Sequence, residues 1–125
     1  MKTAVIIVRV LMGLLFIFAS VVVLFKIVPQ PELTGNVKIF MDGVNATGYL
    51  MTLIKVTELA CGIAFVTGRF VPLATVVIAP VIVNIFLFHA FVETSGLAVA
   101  VFLVFANIFL AIANRDKFKP LFEAK

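Results

Sequence analysis

The sequence predicts an all-α, polytopic membrane protein built as a bundle of four transmembrane helices. Of its 125 residues, 64% are hydrophobic and 13% are charged, whereas a soluble domain is nearer half apolar and a quarter charged. Four apolar stretches, each near the roughly 20 residues that cross a bilayer, occupy most of the chain. None alternates strictly in the manner of a barrel strand, and a backbone in lipid must satisfy its own hydrogen bonds, so each stretch is expected to be a helix.

The first span is Thr3 to Phe25. Arg9 interrupts it and no A-x-A pattern follows, so it reads as a span and not as a cleaved signal peptide. The link from Lys26 to Thr47 holds Pro29, Pro31, Gly35 and Gly43, with a short interfacial helix expected over Val37 to Met41. The second span, Gly48 to Thr67, turns at Gly68-Arg69-Phe70 into the third, Val71 to Phe91. Glu93-Thr94-Ser95 then leads into the fourth, Gly96 to Asn114. Links this short make antiparallel neighbours, and residues 1–125 read as a single membrane domain.

With four spans both termini share one side, which collects Lys2, Arg9, Arg69, Arg115, Lys117, Lys119 and Lys125. The other side has Lys26 and Lys38, with Lys55 inside the second span. The excess of Lys and Arg places both termini in the cytoplasm and the 26–47 loop outside. Because the basic residues are scattered between apolar runs, the net charge of +4 reads as topology and no nucleic-acid partner is expected.

Cysteine and histidine counts narrow the chemistry. The single Cys61 excludes an intrachain disulfide and a cysteine zinc site, and it is expected to pack as a small apolar residue. One His excludes a haem held by two histidines of this chain. No phosphate loop, GxSxG or HExxH is present, so no metal site and no intrinsic cofactor are expected.

The informative residues are the polar ones within the spans: Arg9, Lys55, Glu58, Asn84, His89, Asn107 and Asn114. Counted from the helix ends at about 1.5 Å per residue, Arg9 and Glu58 fall within one turn in depth, and an ion pair between them is the expected solution for a buried carboxylate. Two alternatives stand beside it. Arg9 can snorkel to the headgroups, and Glu58 can pair with Lys55 three residues earlier on its own helix.

Lys55 and Asn84 both lie about 10 Å from the outer ends, so they are expected to line an outward-opening pocket floored by the Arg9–Glu58 pair. Pro80, four residues before Asn84, bends the third span or frees the Val76 carbonyl. His89 is the natural proton carrier, since its ordinary pKa lies near neutrality. A helix-end pair with Glu93 accounts for it equally well, and on an ideal helix it points about 140° away from Asn84. Small and polar residues are useful against other helices, so Gly13, Gly62 and the Asn107–Asn114 stripe are expected to face inward. Gly62→Leu is then expected to harm the fold more than Leu110→Phe.

Four segments resemble the DoxX family of small bacterial membrane proteins: RVLMGLLFIF at Arg9 to Phe18, GYLMTLIKVTELACG at Gly48 to Gly62, GRFVPLA at Gly68 to Ala74, and APVIVNIFLFHAF at Ala79 to Phe91. The last two are the more specific. The resemblance implies a four-helix protein of the bacterial plasma (inner) membrane, in a family named after a subunit of a thiosulfate:quinone oxidoreductase. It places Arg9, Gly13, Glu58, Gly62, Arg69, Pro72, Asn84 and His89 on family motif positions. A lysine that many members carry about fourteen residues after the arginine is replaced here by Val23.

The expected function is an accessory or subunit of a membrane redox system that binds a quinone-like, lipid-soluble ligand through Lys55, Glu58, Asn84 and His89. Such a chain is an oxidoreductase-associated membrane subunit more than a stand-alone enzyme, with the lipid bilayer, a redox enzyme or a second copy as partners. The alternatives are a scaffold that docks a soluble oxidoreductase, or a small-solute or proton permeation unit, since intramembrane ionisable groups also mark pathways.

Overall fold

The computed structural model describes residues 2–25 and 33–122, so expectations at Lys26, Pro29, Pro31 and Lys125 lie outside the described residues. The elements are α1 (Lys2–Leu24), α2 (Gly35–Ala46), α3 (Leu50–Thr67), α4 (Val71–Phe91), α5 (Leu97–Ala113) and α6 (Arg115–Phe118). Single 3-10 turns cover Thr94–Gly96 and Lys119–Phe122, and there is no strand among the described residues. Helices α1, α3, α4, and α5 with its preceding turn, are each long and apolar enough to cross a membrane. The protein is a multi-pass, all-α membrane bundle.

Local chemistry explains where the helices begin and end. Gly68 ends α3 in the left-handed conformation (φ 77°), its amide donating to the Ala64 carbonyl at 2.9 Å. Phe70, also left-handed at φ 58°, precedes α4, and Pro72 falls in the first helical turn, where a missing N–H is harmless. At the other end of α3, the Thr47 hydroxyl oxygen accepts from the Leu50 amide at 3.0 Å and so satisfies one of the orphan donors at that helix start.

Helix α2 is longer than the Val37–Met41 segment expected. A Lys38–Asp42 pair at i,i+4 (2.7 Å) supports it, and Val44 is buried. Helical structure also continues past the fourth span into the polar terminal segment. There α6 and its following turn fold back far enough to bury Phe118.

The four spans close into a ring: α1 lies chiefly on α3 and also touches α5, while α4 packs against both α3 and α5. Met12, Phe16, Phe65, Ile78 and Leu110 fill the centre. The outward positions, such as Ile7, Leu14, Phe18, Ile63 and Phe105, are exposed and apolar as lipid contact requires.

The α1–α3 contact is made through glycine on both sides. A Cβ built on Gly62 meets the Gly13 carbonyl oxygen at 2.9 Å, and one built on Gly13 meets the Gly62 carbonyl oxygen at 2.8 Å. Only helices lacking side chains here approach this closely.

Asn107 donates to the Thr75 carbonyl of α4 at 3.3 Å, joining two helices, whereas Asn114 donates to Leu110 within its own helix at 2.9 Å. Leu110, the position expected to tolerate a larger side chain, is completely buried. Its stripe of α5 faces the core, so an outward residue such as Ile108 is the appropriate contrast.

Candidate functional site

A cavity of about 1240 Å³ lies at the end of the bundle distant from α6, between α2, α3, α4 and the last turn of α1. Its polar lining includes Lys55, Glu58, Asn84 and His89, all four of the ligand-binding residues singled out in the sequence. Its apolar wall includes Val23, Leu24, Ile54 and Ile85. The 140° between Asn84 and His89 does not separate them, because a volume this large spans a broad arc of α4. Pro80 also lines it, one turn before Asn84.

Glu58 is the deepest charge in this site, with its side chain 3% exposed against 17% for Lys55. The two are paired, Lys55 Nζ lying 3.0 Å from Glu58 Oε2. This is charge pairing without hydrogen-bond alignment, since Oε2 has no hydrogen-bond partner among the described residues. The carboxylate therefore keeps acceptor capacity beside a neutralising cation.

The expected Arg9–Glu58 pair is not formed, and the helix register shows why. Gly13 meets Gly62 across antiparallel helices. Arg9 lies one turn from Gly13 toward the termini and Glu58 one turn from Gly62 the opposite way, so about 12 Å of helix rise separates them. Helical side chains also lean toward the helix N-terminus, which carries the Arg9 side chain further from Glu58. Its guanidinium instead reaches the Gly68 turn, where a Cβ on that glycine would lie 2.9 Å from Nη1. Arg9 thus snorkels, and it lines a second, separate cavity with Gly68 and Lys117.

His89 is anchored differently from the side-chain pair expected with Glu93. Its Nδ1 lies 3.0 Å from the Glu93 backbone carbonyl, while the Glu93 carboxylate accepts from Ser95 Oγ at 2.8 Å. A carbonyl only accepts, so Nδ1 carries the proton, and in the neutral ring Nε2 is left as an acceptor. The ring rests on Gly96, where a Cβ would approach Cε1 to 2.5 Å.

Helix α2 is the part of the site that sequence reasoning missed. It brings the Lys38–Asp42 pair to the cavity, and Phe40 packs on Phe88 with ring centroids 4.7 Å apart. The signal was present as apolar Val37, Phe40, Met41 and Val44 at helical spacing. Among the described residues, no group of three His, Cys, Asp or Glu is placed to hold a metal ion.

The family model described as DoxX matches residues 4–90. That stretch contains every described residue lining the large cavity, whereas α5 and α6 lie beyond it. No curated protein and no solved structure matches the chain.

Proposed function

The chain belongs to the DoxX family of membrane proteins, and from that premise we propose that it binds a quinone-like, lipid-soluble ligand in the large cavity as an accessory or subunit of a membrane redox system. The observation that carries the reading is the convergence of Lys55, Glu58, Asn84 and His89 on one apolar-walled volume. Ligand pockets usually run to roughly 300–1,000 Å³. A larger one with aliphatic walls suits a head group bearing a long hydrocarbon tail.

Each polar side chain has a part in this proposal. Lys55 Nζ donates to a quinone carbonyl. Glu58 Oε2 and, in the neutral ring, His89 Nε2 receive hydrogen bonds from the hydroxyls of the reduced form. Asn84 donates or accepts through its amide. The residues bind and orient the head and hold its protons, while a partner enzyme exchanges the electrons. The cavity beside the Lys55–Glu58 pair favours ligand binding over a pair that only locks the bundle. The same reading sets the protein in the bacterial plasma membrane with both termini cytoplasmic.

The test is mass spectrometry of lipids extracted from gently purified protein. Prenyl quinones are expected with the wild-type protein and depleted in a His89→Gln, Asn84→Ala double variant that still gives a folded, monodisperse preparation. Wild-type protein carrying no more quinone than an unrelated four-helix membrane protein from the same cells would overturn the proposal.

A further inference from the structure

The opposite end of the bundle carries a second site, and its chemistry differs. We infer that the small cavity beneath the Gly68 turn binds a phosphate-bearing anion, in place the headgroup phosphate of an anionic phospholipid, between Arg9 and Lys117. The inference does not depend on what the large cavity holds.

The cavity is about 280 Å³ and is lined by Arg9, Lys117, Asn114, the Gly68 turn and the first residues of α4, with no acidic side chain in its wall among the described residues. Since a water takes about 30 Å³ of liquid volume, there is room for a tetrahedral oxyanion and its hydration. Both ion pairs found among the described residues use other cations, Lys38 and Lys55. Arg9 Nε is buried with no hydrogen-bond partner among the described residues. A cation held inside a membrane-spanning helix with a buried, unused donor is costly unless an anion meets it.

The arrangement fits phosphate better than a protein carboxylate. Arginine presents a planar fork matched to paired oxygens of phosphate, and Lys117 adds a mobile second charge. Gly68 has no Cβ, which lets the guanidinium lie flush against the turn. The Asn114 amide already donates to the Leu110 carbonyl, and Arg9 and Lys117 supply the positive charge of the wall. Asp116, next to Lys117 in sequence, is exposed and does not line the cavity. The first turn of the 21-residue α4 directs its positive end to the same place.

Position and surroundings select a lipid as the source. Arg9 begins roughly 10 Å inside α1 and reaches back to a turn at the membrane boundary, the level of the headgroup phosphates. Beside it Phe70 is 74% exposed and Val5 and Val71 complete an apolar wall, a surface suited to acyl chains and not to a free ion.

The experiment is thermal unfolding of the delipidated full chain in neutral detergent with phosphatidylglycerol, phosphatidylcholine or inorganic phosphate added, together with native mass spectrometry of bound lipid. Phosphatidylglycerol is expected to raise the midpoint by roughly 5 °C, as saturating a native-state site does, and to remain as one retained lipid. Lys117→Gln, an exposed change that the fold tolerates, should remove at least half of that rise, and Arg9→Gln nearly all of it. Lys119→Gln, off the cavity, should leave it unchanged. Protection by phosphatidylglycerol but not by inorganic phosphate supports the headgroup; equal protection by inorganic phosphate that is lost in Lys117→Gln supports the same site with a free anion as its source. Equal effects of phosphatidylglycerol and phosphatidylcholine on the wild type, or a rise undiminished in Lys117→Gln, would overturn the inference.

Discussion

Substituting Gly62 by Ala sets two opposing effects against each other, and the structure decides the sign. Replacing a mid-helix glycine by alanine favours the helix by about 1 kcal/mol. Here the new Cβ would stand 2.9 Å from the Gly13 carbonyl oxygen and 3.2 Å from the Ile17 amide nitrogen, both backbone atoms, as well as 2.9 Å from Ile17 Cγ1. Rotamer changes can relieve the last contact but not the first two, so α1 and α3 must separate. Overpacking of this kind costs about 1–3 kcal/mol, and a clash with backbone belongs at the upper end. The net expectation is a loss of about 1–2 kcal/mol, which at this chain length lowers the thermal midpoint by roughly 4–8 °C in detergent. Gly43→Ala is the matched control. It also sits inside a helix, but nothing among the described residues lies within 4 Å of its added Cβ, so the propensity gain should stand alone. An unchanged or raised midpoint for Gly62→Ala, equal to that of Gly43→Ala, would refute the close-packing argument.

Lys55→Met should destabilise by about 3–5 kcal/mol by stranding the buried Glu58 carboxylate, and Lys55→Met with Glu58→Gln should recover much of it; chemical or thermal unfolding reads both. Arg9→Met should be nearly silent in the same lipid-free assay, and a loss comparable to that of Lys55→Met would mean that Arg9 supports Glu58 after all. Gly96→Ala pushes the His89 ring off its seat, since the added Cβ would meet Cε1 at 2.5 Å. It is expected to lower quinone retention by the purified protein while leaving its helix content unchanged by circular dichroism. In a Cys61→Ser background, cysteine placed at Asn36 should react with an impermeant thiol reagent from outside the cell, and labelling confined to the cytoplasmic face would reverse the proposed orientation.

Composition and apolar run length alone determined the class, the four spans and most of their ends. The third span appears from Val71 to Phe91 as expected, because lipid leaves the backbone no alternative to the helix and because Gly68, Pro72 and the polar turns punctuate it. Apart from the side that α2 forms, the polar lining of the large cavity was also legible, since Lys55, Glu58, Asn84 and His89 are among the few polar residues within the spans. Their partners were not. Depth counted from helix ends brought Arg9 level with Glu58, but those ends do not set how two helices slide past one another. That offset is decided by where backbones can approach, at Gly13 and Gly62, and it displaces Arg9 from Glu58 by two turns. The same is true of azimuth: Leu110 and Ile108 are indistinguishable by hydropathy, and only the packing of α5 on α1 and α4 buries one and turns the other to lipid. Helix formation in a membrane is a local requirement of each segment, whereas pairing depends on register and rotation between segments, which only the contacts among all four helices define.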